Sequence, residues 1–266
     1  MPSKQLGMSN EDWYRVLTEG EADARAFRRM IRKVPSNPRC KMCFVPFGGI
    51  GGRMNRLRGN GPSRKNPQFC RGCFEAAPIG GAEADIGIMF ADVRGYTKAT
   101  EERGAVETAY VMNRFYETAT SVLTRCDAVI DKLVGDQVMA LFIPGFAGAE
   151  YVSSMVGAAA DLLRGVRYGE AGGPWLSLGV GLDAGVAYVG NVGSGEVKDF
   201  TALGDPVNVA ARLQSIAEPG QIVMSERVYS VCAERYPNAA PMRLELKGKS
   251  EPVAARVVDL ATPVRP

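Results

Sequence analysis

From residue 85 onward, apolar and polar positions alternate in blocks whose period switches between two and about three and a half. Residues 85–91 (DIGIMFA) open on an acid and continue as a short apolar run, the pattern of a buried strand. Over 104–125, Val106, Ala109, Met112, Phe115, Tyr116, Ala119 and Val122 fall on one face of a helix. Residues 128–133 and 137–142 read as two strands joined by the tight turn Val134-Gly135-Asp136. A second helix, rich in Ala and Gly, is predicted over 148–166. Residues 175–189 return as a strand pair or a bent strand, followed by a short strand over 200–203. Pro206 then suits the first turn of a helix carrying Val209, Leu213 and Ile216. A strand over 222–224, a short helix over 226–233 and strands over 243–247 and 253–258 complete the pattern. The order is βαββαβ with extensions. It predicts an α+β fold of the ferredoxin-like kind, an antiparallel-rich sheet with helices on one face.

The first third reads differently. Trp13, Val16, Leu17, Ala24, Phe27, Met30 and Ile31 predict a helical segment within 1–33, with Asn10 as its N-cap. Residues 34–76 are rich in Gly, Pro and Arg, have no long periodic stretch, and contain two CxxC pairs. Residues 77–84 read as a linker into a larger domain over 85–260.

Composition narrows the chemistry. With 46% hydrophobic and 23% charged residues, the 266-residue chain is of ordinary globular make-up. No apolar run approaches the length that spans a bilayer, and the start lacks the apolar core of a secretory signal, so a cytoplasmic location is expected. Residues 1–80 hold 15 Lys/Arg against 6 Asp/Glu, a net +9, within a chain whose total is +3. That basic third, with Arg53, Arg56, Arg58, Arg64 and Lys65 inside the cysteine loop, could face nucleic acid, an anionic surface or only solvent. Phe44, Phe47 and Phe69 do not form the ordered basic–aromatic stripe that would make nucleic-acid binding the leading reading. Histidine is absent, which removes Ser-His-Asp and Cys-His catalysis and imidazole-ligated metals.

Carboxylates are the remaining candidates. Asp92 follows the first strand and begins the loop DVRGYT, where Gly95 permits a tight turn and Thr97 adds a hydroxyl. Asp136 lies at the tip of the predicted hairpin. Two carboxylates at neighbouring strand ends beside an amide-lined turn suit two divalent ions and a triphosphate. Alone, either aspartate also reads as a turn-former.

Three segments carry a resemblance. FADVRGYT (90–97), KLVGDQVMALF (132–142) and FTALGDPVNVAARLQ (200–214) resemble, in order and spacing, the signatures of class III adenylyl/guanylyl cyclases. The resemblance covers roughly residues 84–260. It implies that Asp92, the carbonyl of Val93 and Asp136 hold two Mg²⁺ or Mn²⁺ ions, and that Gly95, Tyr96 and Thr97 cradle phosphate. It makes Lys132 and Thr201 the residues that contact the purine, Lys247 a grip on the terminal phosphates, and Asn208 and Arg212 the transition-state pair. An ammonium at Lys132 donates to N1 of adenine, so ATP is the expected substrate and 3′,5′-cyclic AMP the product. Threonine at 201 departs from the aspartate many adenylyl members carry there, but its hydroxyl can accept from the adenine amine. Asp205 reads as structural. Family sites form between two head-to-tail domains, so one chain with the full set implies a homodimer with two sites. The alternatives are a guanylyl cyclase, a non-catalytic nucleotide-binding regulatory domain, or a nucleic-acid-binding module with a cyclase as its output.

Cys40, Cys43, Cys70 and Cys73 form C-x₂-C-x₂₆-C-x₂-C, a Cys₄ pattern that suits structural zinc, with an iron–sulfur cluster as the alternative. A poorly cored segment of this kind gains its fold from the metal, and a regulatory or dimer-supporting role is expected of it. Cys126 and Cys232 read as small buried hydrophobes.

Overall fold

In the computed structural model, described for residues 9–19, 39–43, 45–63, 67–74, 77–96, 101, 104–194, 197–245 and 252–261, the apolar run at 85–91 lies within a longer strand, β1 (Gly80–Val93). The strand thus starts inside the stretch read as a linker. Helix α4 (Ala105–Arg125) follows, then β2 (Val129–Val134) and β3 (Gln137–Phe142), paired antiparallel across the expected turn. A short helix α5 (Pro144–Ala147) precedes α6 (Tyr151–Gly165). The segment 175–203 forms one long strand β4 (Leu178–Ser194) that folds back as β5 (Val197–Leu203). Then come α7 (Asp205–Ile216), β6 (Gln221–Ser225), α8 (Glu226–Cys232), β7 (Ala240–Leu244) and β8 (Val253–Asp259). Before β1 lie α1 (Asn10–Thr18), α2 (Gly49–Leu57) and α3 (Arg71–Phe74). Among the described residues the sheet has eight strands in the order β2-β3-β1-β4-β6-β8-β7, with β5 on β4. The βαββαβ reading of β1 to β4 and the α+β class hold.

The chain divides into two compact units. The larger comprises 86–142, 150–186 and 204–266. Its core sets Phe115, Ala119 and Leu123 of α4 and Ala159 and Leu162 of α6 against Met89, Ala140 and Phe142 of the sheet. Helices also cover part of the other face, a departure from the one-sided sheet expected. On β6, Ile222 and Met224 join that main core, whereas Val223 between them packs with Val209 and Leu213 of α7 and with Ala255. The period-two alternation of a strand makes this division possible. Helix α7 lies close on β4: a Cβ at Gly181 would stand 2.1 Å from the Gln214 backbone nitrogen and 2.5 Å from the Ala210 carbonyl oxygen.

The smaller unit comprises 1–85, 143–149 and 187–203. Its core is aromatic. The Phe69 ring is 1% exposed and lies 5.2 Å from Phe200, 6.1 Å from Phe74 and 6.3 Å from Phe146, centroid to centroid. Trp13 closes on Phe200 at 6.3 Å. Buried aromatic pairs of this kind, stacked, tilted or edge-on, are each worth on the order of 1 kcal/mol beyond area alone. Ser9, not Asn10, caps α1: its hydroxyl accepts from the Asp12 amide while the Asp12 carboxylate accepts from the Ser9 amide, a capping box. The remainder of the helix expected within 1–33 lies outside the described residues. Within 34–76, read as having no long periodic stretch, residues 49–57 form α2, a helix with Ile50 and Leu57 exposed. No helix of the described residues is long and apolar enough to cross a membrane.

Candidate functional site

Asp92 and Asp136 come together because β1 and β3 pair antiparallel with Asp92 opposite Gln137. The Val93 amide donates to the Asp136 carbonyl at 3.1 Å, which pins the turn to the strand end. Asp92 is half-buried. Burial, and then the negative charge of Asp136, push its carboxyl up to about 6, partly offset by Arg94 and by a hydrogen bond from Gln137. A carboxylate held against burial and a like charge is a site that favours a cation. The donor set, two carboxylates at adjoining strand ends, suits hard divalent ions.

Residues that the sequence did not single out complete this corner. Gln137 Nε2 stands 3.4 Å from Asp92 Oδ2 and 3.5 Å from Gln214 Oε1, so it bridges the carboxylate and helix α7. Tyr116, expected only as part of a helix's apolar face, donates its hydroxyl to the Gly135 carbonyl and anchors the hairpin tip. Its phenol is pushed up by burial, then by Tyr96 and Asp136 nearby. Gly95 adopts φ +72°, the left-handed turn anticipated for it, and Tyr96 packs on the main core. Thr97 and Lys247 lie outside the described residues.

Lys132 sits on β2 beside a β-bulge: Ile130 pairs with Ala140 and Lys132 with Met139, so Asp131 is the extra residue. A bulge redirects the side chains that flank it. The Lys132 ammonium lies 3.6 Å from the Asp131 carboxylate, whose side chain is fully buried while that of Lys132 is 43% exposed. On α7, Val209, Ala210, Leu213 and Gln214 are buried, and Asn208 and Arg212 project from the exposed face. Four-residue spacing puts both on one side of the helix. Asp205 is its first residue. In the smaller unit, Thr201 lies on β5 opposite Gly190 and is 5% exposed.

The four cysteines converge. The sulfurs of Cys40, Cys43, Cys70 and Cys73 all lie within 4.8 Å of one another, with Cys43 and Cys70 at 3.6 Å. One tetrahedral ion with bonds of about 2.3 Å would set its sulfurs about 3.8 Å apart, so the cluster is of the right size for a single metal. The Cys70 amide donates to Cys40 Sγ at 3.2 Å and the Cys73 amide to Cys70 Sγ at 3.3 Å. Hydrogen bonds from neighbouring thiols hold Cys70 and Cys40 below the usual thiol range, and the same crowding drives Cys43 and Cys73 up. Four thiolates cannot share so small a volume without a cation. Of the other cysteines, Cys232 is buried as expected, whereas Cys126 is only partly so.

Comparison with known proteins agrees with this geometry. Residues 81–257 match the family described as Adenylate and Guanylate cyclase catalytic domain. An adenylate cyclase of Anabaena cylindrica is 30% identical over 176 residues, 63% of this chain and 35% of that protein. An uncharacterized Mycobacterium tuberculosis protein is 28% identical over 197 residues, 72% of this chain and 36% of its own. The chain therefore spans about a third of the length of the curated relatives it matches. The adenylyl cyclase CyaB from P. aeruginosa superposes with a TM-score of 0.58 at 28% identity, covering 66% of this chain and 95% of that one. The guanylyl cyclase Cya2 shares the fold with a TM-score of 0.61 at 24% identity, over 67% of this chain and 93% of its own. The chain belongs to the class III adenylyl/guanylyl cyclase catalytic domain family.

Proposed function

We propose that the chain is an adenylyl cyclase that converts ATP into 3′,5′-cyclic AMP and pyrophosphate at sites shared between two copies, with a catalytic domain over 85–260 and a metal-bearing module over 34–76. The observation that carries the reading is the half-buried Asp92 set against Asp136, together with Asn208 and Arg212 on the exposed face of α7. A transition-state pair turned outward from its own core is what a site completed by a second copy requires. The Asp92 and Asp136 carboxylates and the Val93 carbonyl would hold two Mg²⁺ or Mn²⁺ ions, which supply Lewis acidity to the triphosphate and the attacking hydroxyl.

The protein's own share is positioning and charge. Gly95, Tyr96 and Thr97 turn around the phosphates, and Lys247 holds the terminal ones. Lys132 donates to adenine N1, and the Thr201 hydroxyl accepts from the adenine amine. The ribose 3′-oxygen attacks the α-phosphorus in line, the bond to the β-phosphate oxygen breaks, and pyrophosphate leaves with the electron pair. The hydroxyl proton passes to solvent or a phosphate oxygen. Asn208 orients the ribose, and Arg212 offsets the charge that grows on the phosphoryl oxygens.

In the smaller unit, the Cys₄ cluster is read as structural zinc; an iron–sulfur cluster would spread the four sulfurs wider than 4.8 Å. Its regulatory role is supported by chain neighbours. Cys70 adjoins Phe69, whose ring packs on Phe200, and Phe200 adjoins Thr201. Order in the cysteine cluster is thus tied to the strand that carries the purine contact.

The test is incubation of the purified protein with ATP or GTP and Mg²⁺ or Mn²⁺, with chromatography of the products and Asp92→Ala in parallel. Cyclic AMP that disappears in the variant supports the reading. Cyclic GMP as main product returns the chain to the guanylyl alternative, and no product from an intact dimer leaves a binding domain. Metal analysis with an absorption spectrum distinguishes colourless zinc from a coloured cluster.

A further inference from the structure

Arg94, two residues after Asp92 and near enough to offset part of that carboxyl's upward shift, places its guanidinium fork on the C-terminal end of helix α7. Its Nη2 donates to the Gln214 carbonyl and its Nη1 to the Ser215 carbonyl at 3.4 Å. Those carbonyls belong to the last turn of α7, where the helix dipole is negative; the Gln214 carbonyl also accepts from the Ala217 amide at 3.1 Å, so the guanidinium adds to the helix's own cap. The guanidinium lies over Gly179 of β4, where a Cβ would stand 2.7 Å from its Nε and 3.0 Å from its Nη2. Nε is buried there with no hydrogen-bond partner, a cost sustained to keep the fork on the helix end. The Arg94 amide in turn donates to the Ser177 carbonyl at 2.9 Å, which fixes where the side chain starts. A second tie, Asp92 to Gln137 to Gln214, runs alongside.

The helix end held by Arg94 is the end nearest Arg212, whose own carbonyl accepts from the Ser215 hydroxyl at 2.8 Å. We propose that Arg94 is a positioning residue that couples the two active sites of the dimer. Through it, the segment carrying Asp92 in one site seats the helix that delivers Asn208 and Arg212 to the other. This rests on the shared-site reading above. Within one chain the two functional halves serve different sites, so a strut between them acts across the dimer.

Mixed dimers test it. One chain carries Asp92→Ala and the other Asn208→Ala with Arg212→Ala, and the two are purified together on different tags. Both parent homodimers are inactive, and the mixed dimer has one intact site, built from the second chain's Asp92 and the first chain's Asn208 and Arg212. Arg94→Gln is then placed in the first chain alone, whose own carboxylate half is already disabled. Turnover at the single intact site falls about tenfold, with the KM for ATP changed by less than about twofold. Arg94→Lys recovers part of the loss. In protein free of nucleotide and added Mg²⁺, Arg94→Gln also speeds amide exchange across residues 212–217 by about tenfold. Unchanged turnover with Arg94→Gln in the first chain overturns the inference, even if the same change in the second chain is harmful, and leaves the shared-site reading standing. A mixed dimer that is inactive before Arg94 is altered sinks the shared-site reading, and the coupling with it.

Discussion

Replacement of Asp92 by Asn should abolish activity and yet make the protein more stable when no divalent ion is bound at the carboxylates. Burial and the Asp136 charge raise the Asp92 carboxyl from the ordinary 3.8 to about 6. The folded state therefore holds this proton more tightly than the unfolded chain does. Its favourable contribution is complete below about pH 3.8, fades as pH rises, and is gone above about pH 6. A shift of that size corresponds to about 3 kcal/mol for a fully buried group. Asp92 is only half-buried, and solvent screening brings the expected figure to about 1 kcal/mol. Asn carries no charge at any pH, so at pH 7.5 the variant should melt about 2–4 °C above the parent. The difference should shrink as pH falls below about 6, to about a third of its value near pH 4.5, and vanish only below about pH 3.8. The assay is thermal unfolding between pH 4.5 and 8 in Mg²⁺-free buffer without a strong chelator, so that the cysteine cluster keeps its metal. Added Mn²⁺ should then stabilise the parent and not the variant. A variant less stable than the parent at pH 7.5, or a difference independent of pH, would refute the view of Asp92 as a carboxylate held under electrostatic tension for a cation.

Three other perturbations follow from the same structure. Gly181→Ala sets a Cβ against the backbone of α7 at Gln214 and Ala210, so stability should fall by about 1–3 kcal/mol and kcat by more than tenfold as Asn208 and Arg212 shift, read by thermal unfolding and steady-state turnover. Phe69→Ala empties the centre of the aromatic cluster and should cost about 3–5 kcal/mol, while raising the KM for ATP more than it lowers kcat, with the cysteine metal content checked alongside. Lys132→Glu exchanges a donor for an acceptor at the base and should lower kcat/KM for ATP by at least about tenfold while narrowing the gap to GTP in a parallel assay.

Sequence periodicity carried the strands and helices of the larger unit because each has one buried face. Phe115, Ala119 and Val122 recur at helical spacing for that reason, and all three are buried. The Asp92–Asp136 pair was legible because Asp92 stands near the end of β1 and Asp136 in the tight turn before β3, the strand that the βαββ order sets beside β1. Contacts made between distant segments were not legible. Nothing in the run around Arg94 shows that its side chain ends on a helix 120 residues later, or that Gln137 bridges Asp92 and Gln214. The bulge at Asp131 is likewise invisible, because one extra residue in a strand leaves the apolar alternation nearly intact. The segment before residue 85 misled where local signals were weak. Ser9 rather than Asn10 caps the first helix, and β1 claims Gly80–Ala84 from the expected linker. Phe69 and Phe200 belong to one core although 131 positions separate them, which no local pattern encodes.

One number tests the purine assignment most directly: the ratio of kcat/KM for ATP to that for GTP, measured on a single preparation with Mn²⁺ and with cysteine metal content verified. A base site built on Lys132 and Thr201 predicts cyclic AMP as the main product and a ratio above about ten. A ratio below one, with cyclic GMP as the main product, would contradict it.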